Sequence, residues 1–220
     1  MRPVPWIVAA SLLLAVLRLL AAARLDLIGD ESFYVLCARH PAWAYADHPF
    51  MTALWVRTGI ELAGASPLGV RLLFLVSGLL FPLAVHRLAR PIVGERDAAW
   101  AAGVSLCVPI LAQQGVVAVP DVPLWLFAVL ALHGVERGVA TGRAGAFLLA
   151  GVATALGLAT HLRFALVPLA FALHAALRPE VRRAWRSPPA RWARAVGARG
   201  VLPVLLRGAA DGVAGLRYQL

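Results

Sequence analysis

The sequence predicts an all-α fold: a polytopic bundle of membrane helices whose long first loop, on the periplasmic side, contains interfacial amphipathic helices. Three observations predict it. The 220 residues are 61% hydrophobic and only 15% charged, where a soluble domain carries about 25% charged residues. Apolar runs approaching the ~20 residues that cross a bilayer recur along the chain. Basic residues sit in alternate connections between those runs. The net charge is +10, and every basic residue is an arginine. On so apolar a chain this reads as membrane orientation, and no nucleic-acid partner is expected. Cys37 and Cys107 form no disulfide framework; Cys37 reads as a buried small hydrophobe and Cys107 lies within an apolar run.

The first run is Val4–Ala23. Ala21-Ala22-Ala23 resembles a signal-peptide cleavage site, but the apolar runs that follow favour an uncleaved first helix. The second run, Pro67–Leu88, opens on a proline, which is tolerated at an early helix position. The third is Ala98–Val119. The fourth, Val122–His133, is short, and its helix is expected to continue through Gly134–Gly138. Ala144–Thr160 and Phe164–Leu177 follow, separated by "THLR" (Thr160–Arg163). They are either two short spans or one long helix with a break.

The arginines orient these runs. The connection His86–Asp97 holds Arg87, Arg90 and Arg96; His133–Arg143 holds Arg137 and Arg143; Arg178–Arg199 holds seven arginines. If these stretches are cytoplasmic, as the positive-inside rule expects, the opposite face holds Arg24–Ser66, the turn at Gln113–Asp121 and "THLR". Five of the eleven acidic residues lie within Arg24–Ser66, and Asp121 adds a sixth to that face. The alternation requires six spans. The chain accordingly divides into a membrane module (residues 1–177), an arginine-rich cytoplasmic segment (178–200), and the start of a further span or a disordered tail (201–220). The expected location is a bacterial inner (plasma) membrane, with the bilayer itself as a partner.

The loop Arg24–Ser66 is longer than a connector requires. Within it, "FMTALWVRTGIELAG" (Phe50–Gly64) places Met51, Leu54, Trp55, Thr58 and Leu62 at helical spacing, an amphipathic helix lying along the interface. Trp43, Tyr45 and Trp55 suit the interfacial aromatic belt.

Four acids on this face draw attention: Asp30 with Glu31, Asp47 in "DHP", and Asp121 in "VPDVPL". Ionisable groups at a membrane boundary are functional candidates, although Asp30 and Asp121 each read first as helix caps. The two roles are compatible. A carboxylate at a helix N-terminus is held ionised by backbone N–H groups and the helix dipole, and a positioned carboxylate can serve as a general base. Asp30 and Glu31 are adjacent, point in different directions on a helix and do not share one role. His48 precedes Pro49, which favours an extended link before the interfacial helix. Arg57, Arg71 and Arg163, the last beside His161, lie on the same face; they suit phosphate through the planar guanidinium, or lipid headgroups by snorkelling. No His/Cys/Asp cluster has metal-ligand spacing, so no metal is expected. No phosphate-binding glycine loop or nucleophile elbow is present. No cofactor is expected.

These segments in this order resemble the membrane glycosyltransferases of the GT-C class, of the type that includes protein O-mannosyltransferases, the lipid A aminoarabinose transferase and bacterial lipopolysaccharide sugar transferases. The carrying motifs are "GDESFY", "WAYADHPFMTALWVRTG", "SPLGVRL" and "VPDVPL", with "THLRFAL" a weaker match, over residues 5 to 175. The resemblance implies a polyprenyl-phosphate-linked sugar donor and a hydroxyl acceptor, joined with inversion at the periplasmic face. It implies that Asp30 activates the acceptor hydroxyl. Glu31, Asp47 and Asp121 then orient acceptor or sugar, and Arg57, Arg71 or Arg163 stabilises the leaving phosphate. Such transferases carry roughly twice as many spans, so the chain is expected to be their N-terminal portion, a truncated form or a degenerate copy. A non-catalytic membrane subunit is the alternative reading, and a transporter the third; a transporter would be expected to show an internal repeat.

Overall fold

The computed structural model describes residues 4–45, 48–108 and 116–211. Among these the protein is all-α, its only extended pairing an isolated bridge between Ala44 and Pro49. The helices are α1 (Val4–Arg24), α2 (Gly29–Arg39), α3 (Met51–Ala63), α4 (Pro67–Cys107), α5 (Asp121–Thr141), α6 (Ala144–Thr160), α7 (Leu166–Leu177), α8 (Pro179–Trp185), α9 (Pro188–Ala198) and α10 (Leu202–Asp211). Short 3₁₀ turns at Leu162–Ala165 and Arg199–Val201 precede α7 and α10. α4 and α5 are long and apolar enough to cross a membrane, and α1 followed by α2 makes a third candidate, bent by 72°. That bend turns α2 off the axis of α1, and we read α2 as lying outside the span. The protein is a multi-pass membrane helical bundle.

The boundaries follow from local chemistry. α4 begins where Ser66 caps it, its hydroxyl accepting from the Gly69 N–H at 3.2 Å, with Pro67 in the first turn. The second and third apolar runs were expected as separate helices. They are two helices, as expected, joined within α4 at a kink inside the expected connection, at Gly94, whose φ of 84° and ψ of 170° belong to a region that glycine alone enters readily. Glu95, just past the break, reaches back to Arg90 Nε (2.7 Å) and His86 Nε2 (3.2 Å). The third run was expected to stay helical to Val119. It ends at Cys107 instead, because Val108 precedes a proline and is driven to extended geometry (φ −69°, ψ 118°). α5 runs on past the glycines as expected and stops at Gly142, which takes φ 68°. "THLR" is a true break: His161 leaves helical geometry and a 3₁₀ turn starts α7.

The chain forms two compact units. The first comprises Met1–Pro41 and Thr52–Leu126; the second comprises Ala42–Met51 and Phe127–Leu220. The first is centred on Tyr34, Ala38, Val56, Val70, Phe74 and Val122, with Trp55 set edge-on to Phe74 at 5.5 Å. α3 packs through small residues: a Cβ on Gly59 would lie 2.2 Å from the Gly69 carbonyl oxygen. Its buried face is Thr52, Val56 and Gly59, while Leu54 and Leu62 from the expected apolar stripe stay exposed, as suits a helix whose other side meets lipid.

In the second unit α9 lies against α6. A Cβ on Gly151 would come within 2.4 Å of the Ala193 carbonyl oxygen, and one on Gly200 within 2.3 Å of the Ala155 carbonyl oxygen. Residues 188–198, expected as part of an arginine-rich segment, are therefore a packed helix. The contact escaped the hydropathy pattern because the buried face is Ala190, Ala193 and Gly197, residues that let backbones approach without any large apolar side chain.

Candidate functional site

The first unit is organised around one buried ion pair. Glu31 is 0% exposed and Arg71 1% exposed. Arg71 Nε donates to Glu31 Oε1 at 2.7 Å and Nη2 donates to Oε2 at 2.6 Å, a bidentate fork. The remaining guanidinium hydrogens go to backbone carbonyls: Nη1 to Ala22 (3.0 Å) and Leu25 (2.8 Å), Nη2 also to Asp26 (2.9 Å). A guanidinium has five N–H donors, and here all five are used. Glu31 is equally committed, because Oε1 also accepts from the Ala118 N–H at 2.7 Å and Oε2 from the Ile28 N–H at 3.1 Å.

In this arrangement both side chains are fully engaged. Arg71 has no donor left for a phosphate, and Glu31 has no lone pair turned toward solvent. Both were expected at the substrate. The geometry instead makes them a clamp that ties the end of α1, the start of α2, the first turn of α4 and the strand of chain before α5 to one point. Burial pushes the Glu31 carboxyl up, but the Arg71 hydrogen bonds, the Ala118 and Ile28 N–H groups and the Arg71 charge outweigh it and hold the group below the usual carboxylate range.

Asp30 is the opposite case. The cap of α2 is Ile28, so Asp30 lies inside the first turn rather than at the cap itself. It is exposed and makes no hydrogen bond or ion pair among the described residues. Negative charge is stabilised there by the helix N-terminus. Asp121 is the half-buried first residue of α5, three residues beyond the Ala118 N–H that Glu31 accepts. The clamp thus draws the α2 start and the α5 start toward each other.

Arg57 pairs with Glu61 one turn on, Nε to Oε1 at 2.8 Å, on the exposed side of α3. Both line a cavity of about 320 Å³ together with Arg39, Leu27, Val35 and Ile60. Arg39 was not singled out from the sequence; its signal was its place in the last turn of α2.

In the second unit His48, His161 and Arg163 come together. The His48 and His161 rings meet edge to face with centroids 4.7 Å apart. The Arg163 backbone N–H donates to His161 Nδ1 at 3.0 Å, and Arg163 Nε lies 3.0 Å from His161 Nε2. A neutral imidazole accepts at only one nitrogen. In either neutral tautomer only one of these two contacts is a hydrogen bond to the ring. The exposed guanidinium of Arg163 remains available. The loop bearing His48 is held by the Tyr45 N–H donating to the His48 carbonyl at 2.8 Å and by Arg207 donating to the Ala44 carbonyl. Arg207 carries no signal in the sequence. Asp47 lies outside the described residues.

A family model described as dolichyl-phosphate-mannose-protein mannosyltransferase matches residues 47–206. No curated protein and no solved structure matches the chain. The matched range takes in α3 through the middle of α10, with His48, Arg57, Arg71, Asp121, His161 and Arg163, and begins after Asp30 and Glu31.

Proposed function

Since the chain belongs to the dolichyl-phosphate-mannose-protein mannosyltransferase family, membrane glycosyltransferases of GT-C type, we propose that it moves a sugar from a polyprenyl-phosphate donor to a hydroxyl acceptor at the periplasmic face of the bacterial inner membrane. In this reading the acceptor hydroxyl gives its proton to the Asp30 carboxylate. The oxygen attacks the anomeric carbon from the side opposite the phosphate. The bond from that carbon to the phosphate oxygen breaks, and its electron pair leaves with the polyprenyl phosphate. The product has the inverted configuration, and Asp30 returns its proton to water. Asp121 orients sugar or acceptor, and Arg57 is a cation for the departing phosphate. Arg71 and Glu31 contribute by fixing the first turn of α2.

The observation that carries the reading is the contrast between adjacent carboxylates. Glu31 is consumed by the clamp, while Asp30, one residue away, is exposed on a turn that the clamp immobilises. A base needs that combination of access and fixed position. The test is transfer from a labelled lipid-linked sugar in proteoliposomes, with Asp30→Asn as comparison. The proposal expects transfer by the wild type and its loss in the variant. Folded wild-type protein inert toward a range of lipid-linked donors, or Asp30→Asn retaining the full rate, would reject it and leave a non-catalytic membrane subunit as the better account.

A further inference from the structure

The second unit contains a cavity of about 440 Å³ that the proposed transfer does not use. Its walls come from α6, α7 and α9, through Leu158, Pro168, Phe171 and Ala172 among others, with Trp185 and Arg194 also lining it. The volume falls in the ~300–1,000 Å³ range of ligand cavities. The polar side is Arg194, in the middle of α9. Arg194 is exposed, folds back to donate to the Trp185 carbonyl, and stacks its guanidinium 5.1 Å from the Trp185 ring centroid. Its long side chain thus follows the apolar wall while the charge returns to the helix start. Arg191, one turn earlier and beside the lining residue Ala190, is also exposed but does not itself line the cavity. Among the described residues neither arginine is paired with a carboxylate. Glu180 is the only acid between Arg178 and Arg199, against seven arginines.

An apolar chamber with an uncompensated cationic mouth is complementary to an amphiphile with an anionic head. We propose that this is a binding site for an anionic phospholipid, one acyl chain lying in the cavity and the phosphate resting on Arg191 and Arg194. Basic pockets between membrane helices beside arginine-rich connections recognise such headgroups. Occupancy would brace α9 against α6, an interface that consists of small residues and depends on close packing. The site is independent of the transfer reaction, and its test does not use it.

The test is native mass spectrometry of the full chain in detergent, titrated separately with phosphatidylglycerol, with phosphatidylcholine of the same acyl chains, and with a polyprenyl phosphate. The expected result is phosphatidylglycerol bound about 10-fold or more tightly than phosphatidylcholine, on the scale of two arginines acting on an anionic headgroup. Arg191→Gln with Arg194→Gln brings phosphatidylglycerol down to the level of phosphatidylcholine. Arg191→Gln alone, which leaves the Arg194 contacts with Trp185 intact, lowers the preference for phosphatidylglycerol with an unchanged melting temperature. Ala172→Trp, which fills the cavity from its exposed side, weakens both lipids; Ala172→Leu replaces it if the larger variant does not fold. Equal binding of the two phospholipids, a preference that survives the double substitution, or an unchanged Ala172→Trp variant overturns the proposal. So does polyprenyl phosphate binding as tightly as phosphatidylglycerol with the same dependence on the arginines, which would make the cavity a donor site.

Discussion

Glu31→Gln is the sharpest perturbation of the clamp because it changes charge and one atom type while keeping shape. Each Glu31 oxygen accepts from two donors: Arg71 Nε and the Ala118 N–H at one, Arg71 Nη2 and the Ile28 N–H at the other. Replacing one oxygen with an amide NH₂ turns two of these contacts into donor facing donor, whichever way the amide is oriented. It also leaves a guanidinium that is 1% exposed with no counter-charge. Breaking one partner of a buried pair costs about 3–5 kcal/mol. At roughly 2–4 °C per kcal/mol for a chain of this size, melting in detergent, followed by far-UV circular dichroism, should fall by about 6–20 °C. Arg71→Met should cost at least as much, since it also strands the Ala22, Leu25 and Asp26 carbonyls. The two losses should fall well short of additivity, because they remove the same interaction. A shift under about 2 °C for Glu31→Gln, or additive losses, would refute the claim that this pair is buried and holds the unit together.

Three further outcomes follow from the same geometry. Asp30→Asn should lower sugar transfer by about 10²–10⁴-fold with a melting temperature within a degree or so of wild type, the reverse of the Glu31→Gln signature; steady-state rates beside melting curves read both. The stability that Glu31 contributes through its lowered folded-state value should be fully present above its unfolded value of about pH 4.3 and lost as pH falls through the folded one, so melting temperatures of wild type and Glu31→Gln should converge as the medium is acidified below pH ~4. Gly134→Val should destabilise by about 1–3 kcal/mol in denaturant titration, because even a Cβ there would stand 2.6 Å from the Ala150 nitrogen; unaltered stability would mean that α5 and α6 do not approach as described.

What the sequence made legible was whatever depends on neighbours in the chain. Ala144–Thr160 is found with the expected bounds, set by the Gly142 turn and by "THLR", and α3 falls one residue inside the stretch read from helical spacing. What it hid was what depends on distant partners. Adjacency in "GDESFY" already sets Asp30 and Glu31 in different directions, but not which of them is buried, because the residue that decides it, Arg71, is 40 positions away. Arg71 itself read as one of several outer-face cations. That it opens an apolar helix as its buried member was visible in "SPLGVRL", but the carbonyls it satisfies come from the unwound end of α1, which no pattern of side chains records. α9 was obscured for a related reason: its contact with α6 is backbone against backbone, and small residues leave little trace in a hydropathy reading.

The clamp also imposes an order on biogenesis. As the chain emerges, Glu31 is made first, Arg71 follows 40 residues later, and the Ala118 N–H arrives 87 residues after Glu31. Between those moments Arg71 can already gather the end of α1 and the start of α2, but one carboxylate oxygen still lacks its last donor. Completion waits until the segment ahead of α5 has been delivered back to the face where α2 began. A chain whose intervening helices have inserted the wrong way round cannot make that delivery, so the same four bonds that hold the finished unit also discriminate between correctly and incorrectly threaded copies.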